Sequence, residues 1–343
     1  MVKTASVAMT LFFVVCLAVP LTACGGGGED EGPASTIDKI AFQSNRDGNF
    51  QIYVVNADGS GETRLTNSSA NDTSLTWSPD GRRIAFASEI DGDSEIYVMK
   101  ADGSGQTNLS SNPTEDLGPA WSPDGRRIAF SSDRDGNRAV YVMNADGSGL
   151  TNLTCNPTAD FGPAWSPDGS RIVFVSGRDE NLEVYVMNAD GSGQTNLTNS
   201  AGDDLDPFWS PDGSRIAFNS LRDENFEIYV MNPDGSGQTN LTNNPAYDST
   251  PEWSPDGTRI AFDSERDGNA EVYVMNADGS GLTRLTDNPA ADGDAAWSPD
   301  GSRLAFMSNR DGNFEVYVMN ADGSGQTRFT NSPGADGGPV WSP

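Results

Sequence analysis

An all-β fold, a seven-bladed β-propeller of four-stranded blades, is what this sequence predicts, and three observations predict it. Tryptophan recurs at 77, 121, 165, 209, 253, 297 and 341, a step of 44 residues each time without insertion. Each unit holds four short apolar segments separated by Gly-based turns, and none shows helical periodicity; a period in the forties with four strands per unit marks a propeller. The ends of the array are complementary. The first unit has three strands (KIAFQS, QIYVV, TRLT) with no WSPDG before them, and the chain finishes in GGPVWSP, one strand alone. The C-terminal strand is therefore expected to complete the N-terminal blade, which removes free sheet edges. A fragment of a longer array is the alternative reading of the abrupt finish at Pro343.

Each element of a unit follows from its own chemistry. PAW is a short extended stretch, the innermost strand. SPDG is a turn, with Pro presetting φ and Gly taking the left-handed site. RIAFSS alternates with period two, and EVYVMN is β-branched and aromatic, so both read as strands. RDGN and ADGSG are further turns, and TNLT is a short outer strand. The two middle strands are apolar at nearly every position, as expected where both faces of a sheet are covered. The Trp, the Phe of IAF and the Tyr of YV should form the packing between blades.

Residues 1–23 stand apart. Lys3 and the apolar run VAMTLFFVVCLAVP have the layout of a secretion signal, too short for a confident membrane span. The run ends in LTAC, which resembles the bacterial lipobox and so implies a lipid on Cys24; the alternative is an ordinary signal peptide with a chance cysteine. Residues 24–35 form a Gly-rich acidic tether, and residues 36–343 the propeller. The expected location is a bacterial cell envelope, outside the cytoplasm, held to a membrane only by lipid. Under the sorting rule of enteric bacteria, Gly25 directs such a protein to the outer membrane where there is one.

Composition excludes several functions. Formal net charge is −29, with 50 acidic against 21 basic residues, so nucleic acid is not an expected partner. With Cys16 in the signal and Cys24 lipidated, Cys155 is alone, and no intrachain disulfide is expected. The chain has no histidine, which removes Ser-His-Asp and Cys-His catalysis and His-based metal sites. The aspartates recur in identical turns, which suits turn geometry better than one asymmetric active site. No enzyme activity, no cofactor and a monomer are the expectations. DRDGN from Asp133 resembles the start of a calcium loop, but its first position varies between copies and no closing Glu follows; weak calcium binding to the acidic surface stays open.

The motifs WSPDGRRIAF, DGNxEVYVMNADGSG and TNLT are similar to the repeats of TolB-type, WD-repeat-like propellers, over about nine-tenths of the chain. That resemblance implies the propeller architecture and a habit of binding partner proteins at the end of the channel. It does not carry over a particular envelope system. The family's name-giving member has six blades, a separate N-terminal α/β domain and no lipid, whereas here seven blades follow a tether.

If specificity exists, it lies where the copies disagree. Five residues before each Trp stands an Asp (Asp72, Asp116, Asp160, Asp204, Asp248, Asp292, Asp336), expected as a ring near the channel mouth. The ring reads either as a collar for a cation or as structural pairing with the hairpin arginines, Ile90 being the exception among them. The next position breaks the symmetry. Leu117, Phe161 and Leu205 put three apolar side chains on adjacent blades, Tyr247 lies nearby, and Asp206 and Asp294 replace small residues one place on. An apolar arc beside acids suits a protein or peptide partner in the cell envelope. A carbohydrate- or cell-wall-binding propeller is the alternative, and a hydrolase or lyase the most distant one.

Overall fold

The computed structural model describes residues 38–343; the signal segment, Cys24 and the tether lie outside the described residues. Among these residues there is no helix. The strands form seven antiparallel sheets of four strands each, so the chain is a seven-bladed β-propeller. The blade containing Trp165 shows the pattern, with strands Asp160–Trp165, Arg171–Ser176, Glu183–Asn188 and Thr195–Asn196 in order from inside to outside. The first blade is completed by the C-terminal strand Asp336–Trp341, which pairs antiparallel with Lys39–Ser44, Ile40 opposite Trp341 and Ser44 opposite Asp336. We number this blade 1, and blades 2 to 7 carry Trp77, Trp121, Trp165, Trp209, Trp253 and Trp297. Innermost strands of successive blades touch all the way round, the last contact joining Asp336–Trp341 to Asp72–Trp77. These seven strands therefore wall the central channel.

The innermost strand is longer than PAW. It begins at the ring aspartate, so the three residues before PAW are strand as well, interrupted by a bulge. In blade 4 the register slips between Phe161 and Ala164, and the residue inside the slip, Gly162, has φ of 63°. The same left-handed site is filled by Ser74, Gly118, Asp206, Thr250, Asp294 and Gly338. An extra residue in one strand bends it and re-aims side chains. A β-branched residue in this conformation is strained, so Thr250, with φ of 53°, is the costliest of the seven.

Packing explains the repeat. In blades 3 and 4, Ala129, Val140 and Leu153 of one blade meet Trp165, Ile172, Phe174 and Tyr185 of the next in one buried cluster. The Trp165 indole donates to the Ala120 carbonyl at 3.2 Å, and the Arg127 guanidinium lies 4.5 Å from its ring centre. Trp77, Trp253, Trp297 and Trp341 bond the preceding blade in the same way. Trp165, Trp297 and Trp341 thus tie two blades with apolar area, one hydrogen bond and a cation–π contact, whereas the indole N–H of Trp121 and of Trp209 is buried without a partner. Truncating such a Trp costs about 3–5 kcal/mol.

Candidate functional site

The ring aspartates are wholly buried. Six of them meet the guanidinium of a hairpin arginine: Asp116 with Arg134 at 2.8 Å, Asp160 with Arg178, Asp204 with Arg222, Asp248 with Arg266, Asp292 with Arg310, and Asp336 with Arg46 across the closure. Each of those arginines also donates through Nε to the serine that ends the second strand, and stacks on the Tyr of its own blade, Arg178 lying 4.4 Å from Tyr185. The seventh, Asp72, has Ile90 where an arginine would stand. It accepts instead from Ser88 and Ser68, and burial pushes its carboxyl above the usual range. The ring is thus a set of internal spokes, the arrangement in which buried carboxylates hold charge without water.

The hairpin acids of the DRDGN segment are engaged as well. Tyr97 donates to Asp91, and Asn108 donates to the same carboxylate. Among the described residues no group of three or more acidic, His or Cys side chains converges to hold a metal ion. Cys155 is exposed and occupies a left-handed slot (φ 37°) filled in other blades by Ser111, Asn199 and Asn243.

Leu117, Phe161 and Leu205 occupy the second position of consecutive innermost strands, on blades 3, 4 and 5, and all three are partly exposed. Leu117 and Leu205 belong to none of the seven inter-blade clusters. Tyr247 is 52% exposed and stands beside Phe226 on the loop into blade 6, their ring centres 6.3 Å apart.

The two singled-out acids sit in the bulges, and the structure gives them company. The Asp206 carboxylate accepts from Asn219 Nδ2 at 2.9 Å. The backbone N–H of Asp294 donates to Asp263 Oδ2 at 3.0 Å, from blade 7 to blade 6. Gly293 makes this approach feasible, since a Cβ there would fall 2.6 Å from the same oxygen. Glu252, one residue before Trp253, accepts from the Trp297 amide at 3.2 Å. Sequence reasoning missed Asp263 and Glu252, although a signal was present. Glu252 stands in a column that otherwise reads Thr76, Ala120, Ala164, Phe208, Ala296 and Val340, and Asp263 in one that reads Gln43, Ala87, Ser131, Val175, Asn219 and Met307.

All four acids keep partial exposure, yet burial dominates their protonation. Desolvation pushes Glu252 up to about 8 and Asp206 to about 6. It also raises Asp263, with the neighbouring Asp294 charge adding to the effect, and Asp294. Water contact combined with strong desolvation is what a narrow channel imposes. The channel wall is therefore unequal. Blades 3 to 5 present Leu117, Phe161 and Leu205, and blades 5 to 7 present Asp206, Glu252 and Asp294, with Asp263 on the strand behind them. Pairs of perturbed carboxyls in a concave site are candidates for binding or proton chemistry.

Comparison with known proteins places this geometry in a family. The model of the TolB β-propeller domain matches five overlapping segments, residues 33–116, 76–162, 108–204, 155–242 and 197–292. A search of curated protein sequences finds no match. Among solved structures, TolB of Acinetobacter baumannii is 18% identical with a TM-score of 0.58; the match covers 89% of this chain and 66% of that one, so this chain spans slightly less than two thirds of it. The TolB-like protein of Agrobacterium tumefaciens is 26% identical, TM-score 0.58, with 84% and 99% covered. An oligogalacturonate lyase of Vibrio parahaemolyticus is 16% identical, TM-score 0.69, with 82% and 86% covered, a likeness of fold alone. On the family match and the repeated blade, the chain belongs to the TolB β-propeller family.

Proposed function

We propose that this protein is a binding and scaffold propeller of the bacterial cell envelope, tethered to a membrane by lipid on Cys24, and that it engages a protein or peptide at the hairpin end of its channel. One observation carries the reading: seven nearly identical blades differ from one another along the channel wall, where an apolar arc adjoins an acidic one. A rigid scaffold with variation confined to one concave surface is the usual build of a binding site. The location rests on the signal-like segment and LTAC, and on the family.

The fold likeness to a lyase raises a second reading, acid–base chemistry by the perturbed carboxyls. It is disfavoured on electrostatic grounds, because an oligogalacturonate is a polyanion and would meet the acidic arc of an already strongly negative protein. A non-enzymatic role also fits a chain without histidine.

The test replaces Leu117, Phe161 and Leu205 together with Ser and repeats affinity capture from the native membrane. Partner recovery should fall at least tenfold while the thermal midpoint stays within a few degrees. Recovery equal to wild type would refute the reading.

A further inference from the structure

Two side chains packed behind the acidic arc carry a buried acceptor without a donor. Asn219 is 3% exposed, and its amide nitrogen is committed to Asp206, yet its Oδ1 is buried without a hydrogen-bond partner. Asp263, in the same position of the next blade, spends Oδ2 on the Asp294 amide and leaves Oδ1 equally unpartnered. Gln43, the counterpart in blade 1, is 2% exposed with its Oε1 unpartnered. Buried acceptors without donors are costly, and two of them, on Asn219 and Asp263, share one column on adjacent blades, in the strand next to the channel wall. Around them stand the carboxyls of Asp206, Glu252 and Asp294, while the basic side chains of the hairpins are spent on the buried ring.

What is absent from this arc is a donor carrying positive charge. A single metal ion is a poor match, because among the described residues no three acidic side chains converge on one point. A planar or multi-donor cation, whose N–H groups diverge over several ångströms, matches better. Resting on the reading that a peptide enters this channel, we propose that the arc of Asn219, Asp263 and Asp294 binds an organic cation carried by that peptide, a guanidinium in the first instance.

Asparagine is tolerated at this position, since Asn219 occupies it in blade 5, so Asp263→Asn with Asp294→Asn keeps shape and removes charge. The experiment measures, at physiological salt, the binding of a dye-labelled glycine peptide with one central arginine and of its citrulline counterpart. The wild type should prefer arginine at least tenfold. D263N/D294N should reduce the preference below twofold with an unchanged circular dichroism spectrum, while D102N/D190N, which removes two exposed turn carboxylates, should leave it intact. Equal binding of both peptides by the wild type, or a preference that survives in D263N/D294N, would overturn the proposal, the latter showing diffuse attraction to an acidic surface. Displacement of the peptide by micromolar calcium would overturn it in favour of a metal. Capture through Leu117, Phe161 and Leu205 is scored separately. If that capture holds and the arginine preference is absent, only this inference falls; if capture fails too, the channel reading falls with it.

Discussion

The two arcs of the channel are built on one backbone and differ in what each has to suppress. Across blades 3 and 4, the residue before Trp is alanine, Ala120 and Ala164, both buried, and the second position carries Leu117 and Phe161. Across blades 6 and 7, the same two positions read Glu252 and Ala296, and Ser249 and Gly293. The first arc fills space with side chains. The second withdraws side-chain volume, and Gly293 then allows Asp263 to reach the neighbouring blade. The first arrangement stabilises the wall. The second keeps desolvated carboxyls and a strained Thr250 in it. Backbone strain concentrates at functional sites, and Thr250 places it in the second arc.

The sharpest way to break this comparison is to exchange the arcs. Ala164→Glu puts a carboxyl into a layer where the wild type is closely packed, and should destabilise by about 2–4 kcal/mol. Glu252→Ala makes the reverse change and should stabilise, by about 1–2 kcal/mol or about 2–6 °C in thermal midpoint at pH 8.5. The pH dependence has a definite sign. The Glu252 carboxyl is raised from 4.5 to about 8 in the folded protein, so the folded state keeps a proton that the unfolded chain has released. Stability contributed by this proton is complete below about pH 4.5 and is lost as pH rises toward 8. The advantage of Glu252→Ala should therefore fade between pH 8.5 and pH 5 in a thermal melt series. An advantage that is flat across that range would show that Glu252 is not desolvated.

A smaller effect separates wall from spokes. The buried ring is common to both arcs, and blade 2 alone lacks its arginine. Ile90→Arg should supply the missing partner for Asp72, remove an apolar side chain that is 45% exposed, and stabilise by about 0.5–1 kcal/mol. It should also bring Asp72, which burial now holds above the ordinary range, back down. Partner capture should not change. If it did, the spoke of blade 2 would belong to the site.

Most of this architecture was legible in the sequence because it is repeated. Evenly spaced Trp gave the blade count, the period-two runs gave the two middle strands, and the split first unit gave the closure. Less legible was the innermost strand. Asp-x-Gly reads as a turn, and the left-handed bulge at Gly118, Gly162 and Gly338 supplies the very residues that signal a loop, so the sequence pattern shows three of the six strand residues. The candidate site was half legible. Leu117, Phe161, Leu205, Asp206 and Asp294 stand out within one column, whereas Asp263 lies 31 residues before the amide it accepts. Periodicity predicts that blades pack, but which column of one blade meets which column of the next is fixed by stagger around the barrel, and a single blade does not encode it. The pairing of the ring aspartates was legible as one of two readings, since five of them meet an arginine 18 residues later within their own blade and Asp336 meets Arg46 across the closure.

The most direct test of the account places a photocrosslinking benzoylphenylalanine at Phe161 in the channel wall and, in a second strain, at Ser214 in the turn at the opposite end, and irradiates living cells. The account predicts a discrete crosslinked partner from position 161 and none from position 214. Crosslinks of equal yield from both positions, or from 214 alone, would contradict it.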